Sequence, residues 1–367
     1  MTFLIILDGA DERDSQLPGL DNMPFMREII RCGVSGTAAF YRPGREVDSL
    51  CCIAAMLGVP AEKIPVSRAP LEAMGAGIPV AEDALVLRCN LVTVQDGRLT
   101  AFNGGRLTKA DMRDFALKAA ACTSDGLALH HLSEYRNLLM IDHYEGLFPE
   151  IPPPHQSIGR PVGELLAPVQ VNPQLSRFIA RSGEIKNGYM LYPWAAGKKA
   201  ALPGYKQLTG KTAGCVCKAE IVAGIARAMG MTLRIPPKAT GDLDTDLSQK
   251  AHAAAELSKL CDTVIIHVNG TDELSHRRNF AGKISFLERI DAELIGELTG
   301  SLDRDARFII TADHVTGSDS GCHERLPVSW HCADYYACEQ RFVPPPIERK
   351  RSGDNQFYSL LLREDEC

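Results

Sequence analysis

Several function classes are excluded by what this chain lacks. Its 40 Lys and Arg are outnumbered by 46 Asp and Glu, a formal charge of -6 at pH 7, so it has no basic excess and nucleic acid is not an expected partner. No basic segment precedes the apolar run Phe3 to Leu7 near the start. That run is also too short for a secretion signal or a membrane span, so a cytoplasmic location without a membrane partner is expected. The 12 cysteines include no Cys-x-x-Cys pair, the tightest spacings being Cys51-Cys52 and Cys215-x-Cys217. Disulfide frameworks belong to oxidising compartments and structural zinc needs paired ligands, so reduced thiols and no structural zinc are expected. Internal repeats and low-complexity tracts are missing too.

What is present is enough apolar material for a large core: 45% hydrophobic residues in 367. That length exceeds one ordinary core, so the chain reads as two domains or as one large α/β unit with an insertion. Short β-branched runs stop at or just before a carboxylate: Phe3 to Leu7 before Asp8, Thr263 to Val268 before Asp272, and Arg307 to Thr311 before Asp313. Such runs read as buried parallel strands. Helix-like stretches lie between them, Ala219 to Met229 and Ser248 to Leu260. The alternation predicts an α/β fold whose mainly parallel sheet collects ligands beyond the carboxyl ends of its strands. The middle differs in texture, with Ile151-Pro-Pro-Pro-His155, the Gly104-Gly105 turn, and strand-like pieces at Leu85 to Val94 and Asn187 to Trp194. We expect residues 79–204 to form an inserted smaller α+β domain, between core segments 1–78 and 205–367. Val343-Pro-Pro-Pro346 through Arg351 reads as an exposed connection before a short final segment, Gln356 to Leu362.

The strand ends carry chemistry: Asp8, the pair Asp272-x-x-x-His276, and Asp313-His314 followed by His323. On a helix, Asp272 and His276 share one face. Taken singly, these residues also fit a capping aspartate, a surface pair and a core histidine. Taken together, three strand ends of a parallel sheet converge on one edge, and the donor count matches two adjacent metal ions. Carboxylates mixed with imidazoles suit manganese, zinc or iron, and magnesium less well. Ser49 precedes an apolar helical run, Leu50 to Leu57, and is either a plain N-cap or a nucleophile at a helix start that favours phosphate. Cys51 and Cys52 read as buried packing thiols.

Along most of its length the sequence resembles the archaeal-type cofactor-independent phosphoglycerate mutases of the alkaline phosphatase superfamily. The likeness runs through Ile6-Leu-Asp-Gly-Ala-Asp11, Arg42-Pro-Gly44, Ser67-Arg-Ala-Pro-Leu-Glu-Ala73, Leu87-Arg-Cys-Asn-Leu-Val-Thr93 and Gly105-Arg106. It continues in Ala239-Thr-Gly-Asp-Leu-Asp-Thr245, His267-Val-Asn-Gly-Thr-Asp-Glu273 with His276, and Thr311-Ala-Asp-His314 with His323. The resemblance implies an alkaline-phosphatase-like core, a sheet sandwiched by helices and split by an inserted substrate domain. It implies two divalent ions, manganese first and zinc or magnesium as alternatives, one held by Asp8, Ser49, Asp313 and His314 and the other by Asp272, His276 and His323. It further implies interconversion of 2- and 3-phosphoglycerate through a phosphoserine at Ser49. Arg68, Arg88, Asn90, Arg106, His155 and Lys211 stand at positions resembling the family's substrate side, and the expected partner is a small phosphorylated molecule. Nothing in the sequence indicates an oligomeric state.

The sequence also departs from the family pattern. Asp48 precedes Ser49, and Leu50, Cys51, Cys52 and Ile53 follow it in place of the usual polar support; Ala101, Phe102 and Asn103 replace the acidic and basic residues ahead of Gly105-Arg106; and Lys211 stands one position displaced. These changes keep open a rival reading, a metal-dependent phosphatase or phosphotransferase acting on another small phosphorylated or phosphonate compound. A P-loop kinase is rejected despite Gly210-Lys-Thr212, because Tyr205 stands where the motif needs glycine. A non-catalytic binding protein has no need of a serine among metal ligands.

Overall fold

A computed structural model describes residues 1–14, 17–199, 201–345 and 354–361. The start of the chain carries β1 (Thr2–Leu7), α1 (Pro24–Cys32), β2 (Val34–Ala38) and α2 (Ser49–Met56). There follow α3 (Ala69–Gly75), β3 (Leu85–Gln95), β4 (Arg98–Ala101), α4 (Lys109–Ala120), β5 (Leu127–Ser133), β6 (Arg136–Ile141), a helix over Pro173–Ile185, and β7 (Tyr189–Lys198). The remainder carries β8 (Ala213–Val216), β9 (Thr232–Arg234), β10 (Thr263–Val268), β11 (Ala306–Thr311), β12 (Val315–Gly317), β13 (Cys322–Glu324), β14 (Val328–Tyr336) and β15 (Arg341–Val343). Helices Glu220–Ala228, Leu247–Ser258, Gly270–His276 and Phe280–Arg289 lie among these strands.

Every residue of β1, β10 and β11 is buried, so an apolar side chain is stable on either face of these strands, and their runs are continuous instead of alternating. They lie side by side in a sheet ordered β15-β14-β11-β1-β10-β8-β9, with β2 on β14. β11, β1, β10, β8 and β9 run parallel, while β14, β15 and β2 pair antiparallel at one side. This is the mainly parallel α/β core that the alternating pattern predicts. The helices expected over Ala219 to Met229 and Ser248 to Leu260 form over Glu220–Ala228 and Leu247–Ser258. At the chain end a helix covers Asp354–Leu361. Leu362 and the stretch 346–353, which contains most of the expected exposed connection, lie outside the described residues.

The chain divides into two units, Met1–Ile64 with Ala201–Cys367, and Pro65–Ala200. In the second unit, β4, β3, β6 and β5 form an antiparallel sheet in that order, with β7 on the other side of β3. Leu85, Leu87, Cys89 and Leu91 of β3 face a core shared with α4 and the Pro173–Ile185 helix. Val86 faces the opposite way, into a cluster with Ala69 and Ala73 of α3, Leu138 and Met140. That second cluster draws α3 into this unit, so its border falls ahead of Ser67 and not at the Gly77-Ile-Pro79 turn.

Candidate metal centre and its surroundings

The register explains why three distant segments meet. Leu7 pairs with Val268, and Ile6 with Thr311, so the chain leaves β1, β10 and β11 at one edge and delivers Asp8, Asp272 and Asp313 there. The Gly270–His276 helix puts Asp272 and His276 four residues apart on one face, with Nε2 of the histidine 3.0 Å from Oδ2 of the aspartate. Asp313 is fixed by backbone N–H groups of Gly9 (3.2 Å) and His314 (3.0 Å), both donating to its Oδ1. Gly9 has φ +59°, and a Cβ there would stand 2.6 Å from Oδ1 of Asp272 and from Oγ1 of Thr316, so only glycine lets this turn close over the acids. The β12–β13 hairpin sets His323 opposite Thr316 and stacks its ring on His314, centroids 3.9 Å apart.

The histidines are held in one tautomer. His276 Nδ1–H donates to the Gly321 carbonyl (2.8 Å), and His323 Nδ1–H to the Val47 carbonyl (2.7 Å). Thr316 gives its hydroxyl proton to Asp272 (2.7 Å), which leaves its oxygen to accept His314 Nδ1–H (3.1 Å). His314 Nε2 is therefore a lone-pair nitrogen, while His276 and His323 share their Nε2 protons with Asp272 and present lone pairs once those protons leave, the state in which imidazole binds a metal. His314 Nε2 lies 3.4 Å from Asp8 Oδ1 and from Asp313 Oδ2. Both His314 Nε2 and Asp313 Oδ2 are buried without a hydrogen-bond partner. Acceptors facing acceptors in a dry site repel one another unless a cation stands among them, and these residues fit one. Their ligand atoms form two groups, Asp8 with Asp313 and His314, and Asp272 with His314 and His323, each within 4.8 Å. His276 adjoins the second, its Nε2 3.2 Å from that of His323. The hydrogen bond to Asp272 pushes His276 up to about 9. Burial pushes the Asp272 carboxyl up, but bonds from His276 and His323 reverse this and hold it well below the usual range.

Ser49 is the first residue of α2 and is half-buried. Its neighbour Asp48 caps the helix by accepting from the Cys51 N–H at 2.8 Å. Val47, two residues ahead of Ser49, supplies the carbonyl that holds His323, so the turn into α2 is tied to the metal group. Cys51 and Cys52 are buried as the sequence reading has them, and the described cysteines stand as free thiols.

Of the residues assigned to the substrate side, four gather in the second unit. Buried Glu72 accepts from Arg68 (2.7 Å) and pairs with Arg88 (3.2 Å), and Arg88 lies over the Trp194 ring at 4.6 Å. Trp194 Nε1–H donates to Asn90 (3.0 Å) and meets His155 edge-on. Arg106 is exposed beyond the Gly104-Gly105 turn. Lys211 is a correction. It precedes β8, whose first residue Ala213 pairs with Thr263 at the start of β10. It therefore stands at the amino edge of the parallel sheet, facing Asp262, and the length of the strands separates it from the ligand edge.

Sequence reasoning missed His267 and Thr316. His267 is fully buried, and its Nε2–H donates to Asp8 Oδ2 at 3.1 Å; burial pushes it down to about 4, so it stays neutral. The signal was available: a lone histidine interrupts the apolar run Thr263 to Val268 beside the strand that ends at Asp8.

A family model described as 2,3-bisphosphoglycerate-independent phosphoglycerate mutase matches residues 31–187. The protein of that name from Ignicoccus hospitalis is 30% identical over 353 residues, covering 85% of this chain and 83% of its own. Its namesake from Methanothrix thermoacetophila is 26% identical over 337 residues, with 86% and 84% covered. Among solved structures, the PH0037 protein from Pyrococcus horikoshii superposes with a TM-score of 0.76 at 22% identity over 100% of this chain and 98% of its own. The cofactor-independent phosphoglycerate mutase from Thermoplasma acidophilum does so at 0.52 and 20% identity, covering 90% and 89%. With the fold shared and the sequence likeness spanning both units, the chain belongs to the 2,3-bisphosphoglycerate-independent phosphoglycerate mutase family.

Proposed function

We propose that this protein interconverts 2- and 3-phosphoglycerate without 2,3-bisphosphoglycerate, through a phosphoserine at Ser49, as a cytoplasmic step of glycolysis. The observation that carries the reading is the pair of acceptor-rich groups at the carboxyl edge of the sheet, tied through Val47 to the helix that Ser49 begins. In this reading Asp8, Ser49, Asp313 and His314 hold one divalent ion and Asp272, His276 and His323 the other, with manganese the best match to mixed carboxylate and imidazole donors. Ions bound there neutralise charge on a phosphoryl group and acidify a serine hydroxyl.

The chain's own residues do the rest. Ser49 stands at the start of α2, where free backbone N–H groups and the helix dipole favour an anion. Its Oγ takes the phosphoryl group from one glycerate oxygen, and the other glycerate oxygen takes it back. Two backbone carbonyls and the Thr316 hydroxyl hold the histidine rings in place, and burial keeps bulk water from Asp8, Asp313 and His314. For the glycerate we assign Arg68, Arg88, Asn90, Arg106 and His155. Glu72 is the carboxylate that Arg68, Arg88 and Arg136 act upon, so that cluster keeps a positive excess suited to an anion.

The test is to incubate manganese-loaded protein with 3-phosphoglycerate alone and score 2-phosphoglycerate against free phosphate. Isomer in excess of phosphate is expected. Release of phosphate alone, or turnover of a different ester only, replaces this reading with the metal-dependent phosphatase.

A further inference from the structure

The two candidate metal groups are joined by a side chain that holds neither ion. Thr316 is fully buried in β12, and its single hydroxyl reaches both groups. A hydroxyl has one proton and accepting lone pairs. The proton goes to Asp272 Oδ1 at 2.7 Å, because a carboxylate only accepts; the oxygen then receives His314 Nδ1–H at 3.1 Å. Asp272 belongs to one group and His314 borders both. If the threonine turned to give its proton to His314 instead, the ring would carry its own proton on Nε2, pointing at Asp8 and Asp313 in the place a cation would take, and Asp272 would lose a donor. The direction set by the bond to Asp272 is thus the one that leaves His314 Nε2 free for a cation.

Thr316 is itself held from three sides. Its N–H donates to the Asp11 carbonyl at 3.3 Å, its carbonyl accepts from the buried Lys283 ammonium at 3.3 Å, and it pairs with His323 across the hairpin. Gly9 leaves the space for its Oγ1, since a Cβ at that position would lie 2.6 Å away.

We infer that Thr316 is a positioning residue that couples the two metal groups, setting the tautomer of His314 and the orientation of Asp272 with one hydroxyl. This rests on the reading that those groups hold divalent ions. Loss of a residue that hydrogen-bonds to a metal ligand typically changes affinity 10- to 100-fold. The test uses T316V, which keeps the shape and removes the hydroxyl, and T316S, which keeps the hydroxyl. Each full-length protein is freed of metal, shown to be folded by circular dichroism at 25 °C, and titrated with manganese by calorimetry. Expected are two ions per wild-type chain, a loss of roughly 10- to 100-fold in affinity for both ions in T316V, and T316S close to wild type. A loss confined to one ion, no loss in T316V, or a loss in T316S as large as in T316V overturns the inference. T316S decides the matter even if T316V does not fold. Wild-type protein that takes up no manganese overturns the metal reading and this inference with it, whereas wild-type uptake with an unaltered T316V overturns the inference alone.

Discussion

Ser49 and its two neighbouring thiols separate cleanly by environment. The serine is half-buried at a helix start, while Cys51 and Cys52 are buried, and desolvation pushes both thiols up, away from the thiolate that would attack. Ser49→Ala is therefore expected to lower turnover roughly 10³-fold or more, with metal content by atomic absorption mostly retained because the six other proposed ligands are untouched. Cys51→Ala should stay within about threefold of wild type, as expected of a thiol that serves only packing; the reverse pattern would move the nucleophile to the cysteine. A second residue-scale prediction concerns His331, buried on β14 with Nδ1 2.7 Å from the Ser35 hydroxyl and Nε2 without a partner. Burial pushes it down to about 4, from an ordinary value near 6.5. The unfolded chain thus binds a proton that the folded chain refuses, and the stability present above pH 6.5 is lost as pH falls towards 4. Urea titrations of chelator-treated protein should show His331→Gln losing roughly 3 kcal/mol less than wild type between pH 7 and pH 4.

At the scale of elements, short turns do the positioning that long elements cannot. The α2 cap is one case: Asp48 accepts from the Cys51 N–H and so fixes the first turn, on which Ser49 rides. Asp48→Ala should cost about 1 kcal/mol in urea unfolding and should lower kcat at saturating substrate, whereas a purely structural cap would leave kcat alone. The turn after β1 is another. Gly9→Ala places a methyl against Asp272 and Thr316 in a left-handed conformation, so manganese affinity should fall well beyond the roughly 1–2 kcal/mol that backbone strain alone costs. Calorimetric affinity equal to wild type would show that the acids give way easily.

For the whole molecule, the proposed ligand set is also a liability. Asp8, Asp272 and Asp313 are all nearly or fully buried, and gathering them at one edge costs folding energy that a bound cation returns. Removing metal with EDTA should lower the melting temperature, and manganese should restore it in a concentration-dependent way, by about 2.7 kcal/mol at a hundred times the dissociation constant. Far-ultraviolet dichroism at 25 °C should hardly change, because the apolar strands of both sheets are buried independently of the ligands. Collapse of the dichroism on chelation would mean that the metal holds the core itself.

The sequence by itself determined the parallel strands and the acids at their ends, because a continuous β-branched run has few other stable conformations and an aspartate after it stops the strand. It also determined that Asp272 and His276 share a face, since helix spacing is local. What only the tertiary structure decided are contacts between segments far apart in the chain. His267 meets Asp8 across 259 positions, Thr316 meets Asp272 across 44, and Gly9 leaves room for both Asp272 and Thr316. Lys211 shows the same limit from the other side. Its position resembles a lysine on the family's substrate side, yet the direction of β8 sends it to the amino edge, and strand direction is set by how strands pair.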